Sequence, residues 1–242
     1  MNKAQDIKIF GWHAVEAAWC NKNREIKAVY VSEKNIKRFR NLDHKTPHLD
    51  RPKPQIIQRK DFDKKLGANT VHQGIYIITK PLEEIYVSDL VIRLKDKKDA
   101  LVVMLDQVTD PHNVGAILRS AAVFGVDAII MQYRHSPELG GVLAKSSSGA
   151  LEHVSILIET NLGRTLDQLK EAGFQVLGLD ERGVNMRESQ KGKRVLVLGA
   201  EGKGLRASIK DRCDTLLQIP SVGEMSTLNV SNAAAVAFYA LT

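Results

Sequence analysis

Leu101-Val102-Val103-Met104-Leu105-Asp106-Gln107-Val108-Thr109-Asp110-Pro111-His112-Asn113 joins five consecutive apolar residues to the start of a helix. An unbroken apolar run is a strand buried on both faces, because a strand with one wet face alternates. Thr109 or Asp110 can cap the helix that follows, with Pro111 at its first position, where a missing N–H costs nothing. The same unit recurs downstream. Further apolar runs fall at 126–131, 154–158, 174–179, 195–198 and 216–219. Helical patterns lie between most of them, at about 113–124, 137–148, 161–172, 203–212 and 228–241. Buried strands alternating with helices predict an α/β fold with a largely parallel sheet covered on both faces.

Upstream the rhythm changes. Residues 14–19 read as an amphipathic helix, 26–31 as a strand, and 75–78 as a β-rich run closed by Pro81. Between them, residues 36–65 carry ten basic side chains against four acidic ones, broken by Pro47, Pro52 and Pro54. That pattern reads as a loop-rich basic face. Residues 83–99 are charged and weakly periodic and read as a linker. The expected organisation is a small N-terminal α/β domain over 1–82, the linker 83–99, and the α/β domain over 100–242.

The charge follows this division. The 242-residue chain carries +7, but residues 1–99 hold 21 basic and 13 acidic groups (+8), and residues 100–242 hold 14 and 15 (−1). One part suited to a polyanion, joined to a part doing something else, accounts for the asymmetry. No apolar run approaches the roughly 18–20 residues of a membrane span. Cys20 and Cys213 are too few for a disulfide framework, so a reduced cytoplasmic protein is expected, with no membrane partner. Several chemistries are excluded by reading. No G-x-x-x-x-G-K-[ST] loop occurs, no G-x-G-x-x-G follows the first buried strand, and no G-x-S-x-G elbow is present. His44 and His48 stand four apart, but Pro47 between them breaks any helix that could present both to a metal, and no metal site is expected.

Three segments carry more than structure requires. In Asn113-Val114-Gly115-Ala116-Ile117-Leu118-Arg119-Ser120-Ala121, a mid-helix glycine costs ~1 kcal/mol relative to alanine and implies close approach of a ligand or another chain. Asn113 and Arg119 lie about 240° apart around that helix, so they share a site only if Asn113 acts from its first turn. In Leu198-Gly199-Ala200-Glu201-Gly202-Lys203-Gly204, a buried strand enters a glycine-rich turn holding one carboxylate. Such a turn leaves main-chain amides open to a small molecule. In Ser226-Thr227-Leu228-Asn229-Val230-Ser231-Asn232-Ala233, Ser226 or Thr227 can cap a terminal helix. Asn229, Asn232, Ala233 and Val236 fall on one face, which as a packed face would need partners for two amides.

Taken in order, these segments resemble the N-x-G-x-x-x-R-S-A, L-G-x-E-x-x-G and S-L-N-V-S-x-A signatures of the SpoU/TrmH RNA 2'-O-ribose methyltransferases, of the SPOUT superfamily. The resemblance covers essentially all of 100–242. Ile9-Phe10-Gly11-Trp12-His13-Ala14-Val15 and Val71-His72-Gln73-Gly74 resemble the family's RNA substrate-binding domain, a two-domain form similar to bacterial 23S rRNA guanosine 2'-O-methyltransferases. The resemblance implies a C-terminal α/β trefoil knot, S-adenosylmethionine as methyl donor, a homodimer, and methylation of structured RNA, a guanosine of 23S rRNA foremost. It places the catalytic groups at Asn113, Arg119, Glu201, Thr227 and Asn229, and the donor on backbone of Gly199, Ile219 and Leu228, with no metal. Thr227 departs from the serine usual there, and Ser226 beside it offers a second hydroxyl. Arginine stays protonated, so Arg119 suits phosphate clamping and oxyanion stabilisation better than base action. Glu201 is expected either to orient Arg119 or Asn229 or to accept the proton. The alternatives are a tRNA 2'-O-methyltransferase and a non-catalytic RNA-binding or ribosome-assembly factor.

Overall fold

In the computed structural model, which describes residues 5–186, 191–224 and 227–242, the chain forms two sheets in two units. The first unit opens with β1 (Ile7–Phe10), α1 (Trp12–Cys20), β2 (Ile26–Val31), α2 (Ile36–Asp43), β3 (Gln55–Ile56), α3 (Arg59–Leu66) and β4 (Ile75–Thr79). Its sheet runs β1-β4-β2-β3, antiparallel except for the β2–β3 pair. The basic stretch read as loop contains two helices, because Phe39 with Leu42 and Phe62 give each a buried anchor. Phe10, Phe62 and Tyr76 form an aromatic core, in which Tyr30 stacks on Tyr76 at 4.6 Å. The two N-terminal motifs meet. The Trp12 N–H donates to the Gln73 side-chain oxygen at 2.8 Å, and the Asn35 amide donates to the Gln73 carbonyl at 2.8 Å. Gly74 has φ 71°, and a Cβ there would stand 2.5 Å from Ser32 Oγ, so glycine is required twice over.

Residues Glu84–Pro137 and His153–Thr242 make the second unit. Within the stretch read as linker lies α4 (Val87–Leu94), whose Val87, Leu90 and Leu94 repeat at helical spacing and are buried in this unit's core. Then come β5 (Ala100–Asp106), α5 (Pro111–Phe124) and β6 (Ala128–Gln132). The chain next gives Glu138–Glu152, with α6 (Gly141–Ser146), to the first unit. There Glu152 forms an ion pair with Arg24 at 2.6 Å, both side chains 2% exposed, and accepts a second bond from Asn21 at 2.7 Å. The helix expected over 137–148 is thus shorter and packs with the other unit.

The second unit resumes with β7 (Ser155–Glu159), α7 (Leu162–Glu171), β8 (Gln175–Asn185), β9 (Lys193–Gly199), α8 (Ala207–Lys210), β10 (Thr215–Gln218) and α9 (Val230–Leu241). All its paired strands are parallel, in the order β10-β8-β9-β5-β6-β7. The α/β fold with a parallel sheet is as the apolar runs predict. The helix expected over 203–212 shrinks to four residues, since Gly202 and Gly204 hold the chain in a left-handed turn first. Parallel strands put every carboxyl end on one edge. Asp106, Gln132, Gly199 and Gln218 therefore end at the edge where open α/β sheets bind ligands.

Candidate active site

Asn113 sits in the first turn of α5, held there by its cap. Asp110 accepts from the N–H groups of His112 at 3.2 Å and Asn113 at 3.1 Å, which selects Asp110 over Thr109. From that turn the Asn113 amide nitrogen reaches Glu201 at 3.4 Å, and its oxygen accepts from the Asn229 amide at 3.1 Å. Three segments separated by 88 and 116 residues thus meet at one point. Glu201 stands exposed on a turn closed by the Gly204 N–H donating to the Ala200 carbonyl at 2.8 Å. A Cβ on Gly199 would lie 2.2 Å from the Gly204 carbonyl carbon, so the turn folds flat onto the strand end only because Gly199 has none.

Asn229 is the cap of α9, accepting from the Ser231 N–H at 2.9 Å and its hydroxyl at 2.6 Å. The cap is therefore neither Ser226, which lies outside the described residues, nor Thr227. The face drawn through Asn229, Asn232 and Val236 is not the packed one: Asn232 and Val236 are exposed, and Val230, Ala233, Ala234, Ala237 and Phe238 are buried instead. Asn229 meets its need for a partner as a cap and through Asn113. Thr227 and Leu228 are exposed just before it, and Ile219 is half-buried directly after β10. Arg119 does not join the cluster. It lies exposed on α5 and makes no hydrogen bond or ion pair among the described residues. Val123, one turn further along the same face, is 74% exposed.

One polar group escaped sequence reading. Asp106, fully buried at the end of β5, accepts from the Arg206 backbone N–H at 2.9 Å and from Arg206 Nε at 2.6 Å. Arg206 also donates to Gln132 at 3.3 Å. This tie fastens the far end of the glycine turn to β5 and β6, and hence fixes Glu201 relative to Asn113. An aspartate ending an all-apolar strand was the visible signal; its partner, 100 residues away, was not. Among the described residues no group of three or more His, Cys, Asp or Glu could hold a metal ion, and no helix is long and apolar enough to cross a membrane.

The sequence profile of the SpoU rRNA methylase family matches residues 100–239, and that of an RNA 2'-O ribose methyltransferase substrate-binding domain matches residues 8–85. A Staphylococcus haemolyticus protein named for the TrmH family of tRNA/rRNA methyltransferases is 34% identical, the match covering 97% of this chain and 94% of that protein. The fold is similar to that of the SpoU methyltransferase AviRb from Streptomyces viridochromogenes, solved with AdoMet (TM-score 0.78, 21% identity, 97% of this chain and 88% of that one). It is also similar to an AdoMet-bound rRNA methyltransferase from Sinorhizobium meliloti (TM-score 0.77, 20% identity, 97% and 86%).

Proposed function

Since the chain belongs to the SpoU rRNA methylase family of RNA methyltransferases, we propose that it transfers a methyl group from S-adenosylmethionine to a ribose 2'-hydroxyl of structured RNA, foremost a guanosine of 23S rRNA. The observation that carries this reading is the convergence of Asn113, Glu201 and Asn229 at the carboxyl edge of the parallel sheet. The residues there fit the donor. The flattened Gly199 turn, Ile219 and the exposed Leu228 offer backbone and apolar surface at the strand ends, where a ligand of this size is expected. S-adenosylmethionine, when bound, supplies an electrophilic sulfonium methyl group. The chain's own part is alignment and proton handling. Glu201 is the carboxylate of the cluster and takes the 2'-hydroxyl proton, while Asn113, itself held by the Asn229 amide, keeps it in place. Thr227 offers a hydroxyl beside them. Arg119, which stays protonated, clamps the acceptor phosphate and steadies the developing oxyanion.

Arg119 lies off this cluster, and a homodimer resolves the difficulty. Val123 one turn along α5, and Val236 and Tyr239 on α9, are exposed apolar side chains on two helices that pack together, with Tyr239 against Phe124. A second copy seated there is within reach of Arg119, which then serves the partner's cluster. The order β10-β8-β9, with α9 returning to α5, agrees with a chain knotted at its C-terminal end, and a cytoplasmic site of action fits an RNA substrate. The test is methyl transfer from labelled S-adenosylmethionine by the purified protein, with 2'-O-methyl mapping of the RNA. One labelled guanosine in 23S rRNA, absent from a deletion strain, is expected. Label confined to tRNA would move the substrate, and donor binding without transfer to any RNA would make the protein a non-catalytic factor.

A further inference from the structure

We propose that the groove between α1 and α2 in the first unit is a niche for one unpaired RNA base, and that guanine is the base it fits. The inference rests on the reading that the chain acts on RNA, and adds a site apart from the proposed active site. Trp12, Glu16, Arg38, Asn41, Leu42 and Lys45 line the groove. Arg38 lies over the Trp12 ring, its guanidinium carbon 4.0 Å from the ring centroid. Trp12 is buried beneath it and Arg38 itself is exposed. The indole thus holds one face of the cation out of water and leaves the other free, so the side chain is ordered before a ligand arrives. Unpaired RNA bases are held in this way, by stacking on aromatic rings or guanidinium planes.

The groove's remaining groups read an edge. Glu16 is acceptor-only when ionised, Asn41 can donate and accept, and Lys45 donates. Guanine is the base whose pairing edge puts two N–H donors side by side, a match for a carboxylate, next to a carbonyl that Asn41 or Lys45 can meet. None of the Glu16, Arg38, Asn41 and Lys45 side chains makes a hydrogen bond or ion pair among the described residues. Structural cations in this unit behave otherwise: Arg51 donates to the carbonyls of Trp19, Asn21 and Arg24. Lys37 and Arg40, also exposed on α2, supply positive charge for the adjoining phosphates.

The experiment is fluorescence anisotropy of the full chain with short oligouridine RNAs carrying one central G, A or C. Wild type is expected to bind the G-containing strand most tightly. Arg38→Gln should weaken that strand roughly tenfold, within the range of one lost base stack. Lys60→Gln removes the same charge from an exposed site on α3 and should cost far less. Arg38→Lys keeps the charge but not the plane, so it should retain the wild-type salt dependence and lose the preference for G. Glu16→Gln should remove that preference while leaving affinity for the other strands. Equal binding of all strands by wild type, or equal losses in Arg38→Gln and Lys60→Gln, would overturn the niche and leave the groove to an acidic protein segment or to solvent. Methyl transfer to RNA measured on the same preparation separates the two levels. Transfer without base preference removes the niche alone, and no binding to any RNA removes the niche and the RNA reading together.

Discussion

In the first unit Arg51 and Arg24 are tied to carbonyls and a buried carboxylate, whereas at the strand ends of the second unit Arg206 is tied in that way but Asn113, Glu201 and Asn229 meet one another beside solvent. Arg51 closes the end of α1 by donating to three carbonyls, and Arg24 is sealed against Glu152. Neither is available to a polyanion, although both count toward the +8 of residues 1–99. The second region, near neutral in total, presents an exposed Glu201 and an Arg119 without a hydrogen bond or ion pair among the described residues. Net charge therefore says which unit is the more basic, but not which of its cations are free to meet a ligand. A cation free of carbonyls and carboxylates is the one to test.

The sharpest way to break the contrast is to remove Glu152. Its pair with Arg24 is buried on both sides, and truncating one partner leaves a charge without compensation. Glu152→Ala is expected to cost the first unit roughly 3–5 kcal/mol. Hydrogen exchange checks this by strand. Protection of β2 and β4 should fall, while that of β5 and β9 stays near wild type. Equal losses in both units would mean that Glu138–Glu152 stabilises the second unit as much as the first.

Arg119 tests the other half of the comparison. Arg119→Ala should lower methyl transfer by roughly 10²–10³-fold, the usual cost of one preorganised oxyanion donor, with donor affinity within several-fold of wild type. Arg119→Lys should fail too, because an ammonium lacks the planar fork. Calorimetry for the donor and label transfer for activity make the measurement. Mixing Arg119→Ala with Asn229→Ala chains goes further. If Arg119 serves the partner's cluster, random pairing of subunits restores about a quarter of the wild-type rate. If it serves its own cluster, no activity returns.

These two regions were unequally legible in the sequence. The central strands β5 and β9 of the second unit were visible because strands buried on both faces need no polar alternation, and the runs at 101–105 and 195–198 show none. Asn113, Glu201 and Asn229 were each visible as a polar residue beside glycine or a cap. Their meeting was not, since hydrogen bonds across 88 and 116 residues leave no local trace. The allegiance of Glu138–Glu152 was invisible for the same reason: its helix reads alike whichever unit buries Leu143 and Leu151. In the first unit, the short helices α2 and α3 were hidden by their own charge, because one or two buried anchors among many cations give little periodicity.

The smallest expected effect lies in the aromatic core of the first unit and is absent at neutral pH. Tyr76 is 1% exposed, with its ring against Tyr30 and Phe62. Burial first, then the neighbouring Tyr30 and Asp61, pushes its hydroxyl from 10.0 up to about 12. A raised folded-state value means that the unfolded chain gives up this proton first. Tyr76 therefore contributes its full stability below about pH 10 and loses it as the pH rises toward about 12. The second unit has a different group of this kind: burial pushes the Cys213 thiol, packed against that unit's core, up to about 11, so its own loss should begin lower, near pH 9. Urea unfolding followed between pH 8 and 11, with hydrogen exchange to separate the units, should show the first unit weakening on the alkaline side. Tyr76→Phe cannot ionise, so its curve should flatten over the same range, whatever constant offset the lost hydroxyl brings. A Tyr76→Phe variant whose first unit weakens with pH as steeply as wild type would place that unit's alkaline weakness in another group, whereas Cys213→Ala should flatten the second unit's curve and leave the first unit's unchanged.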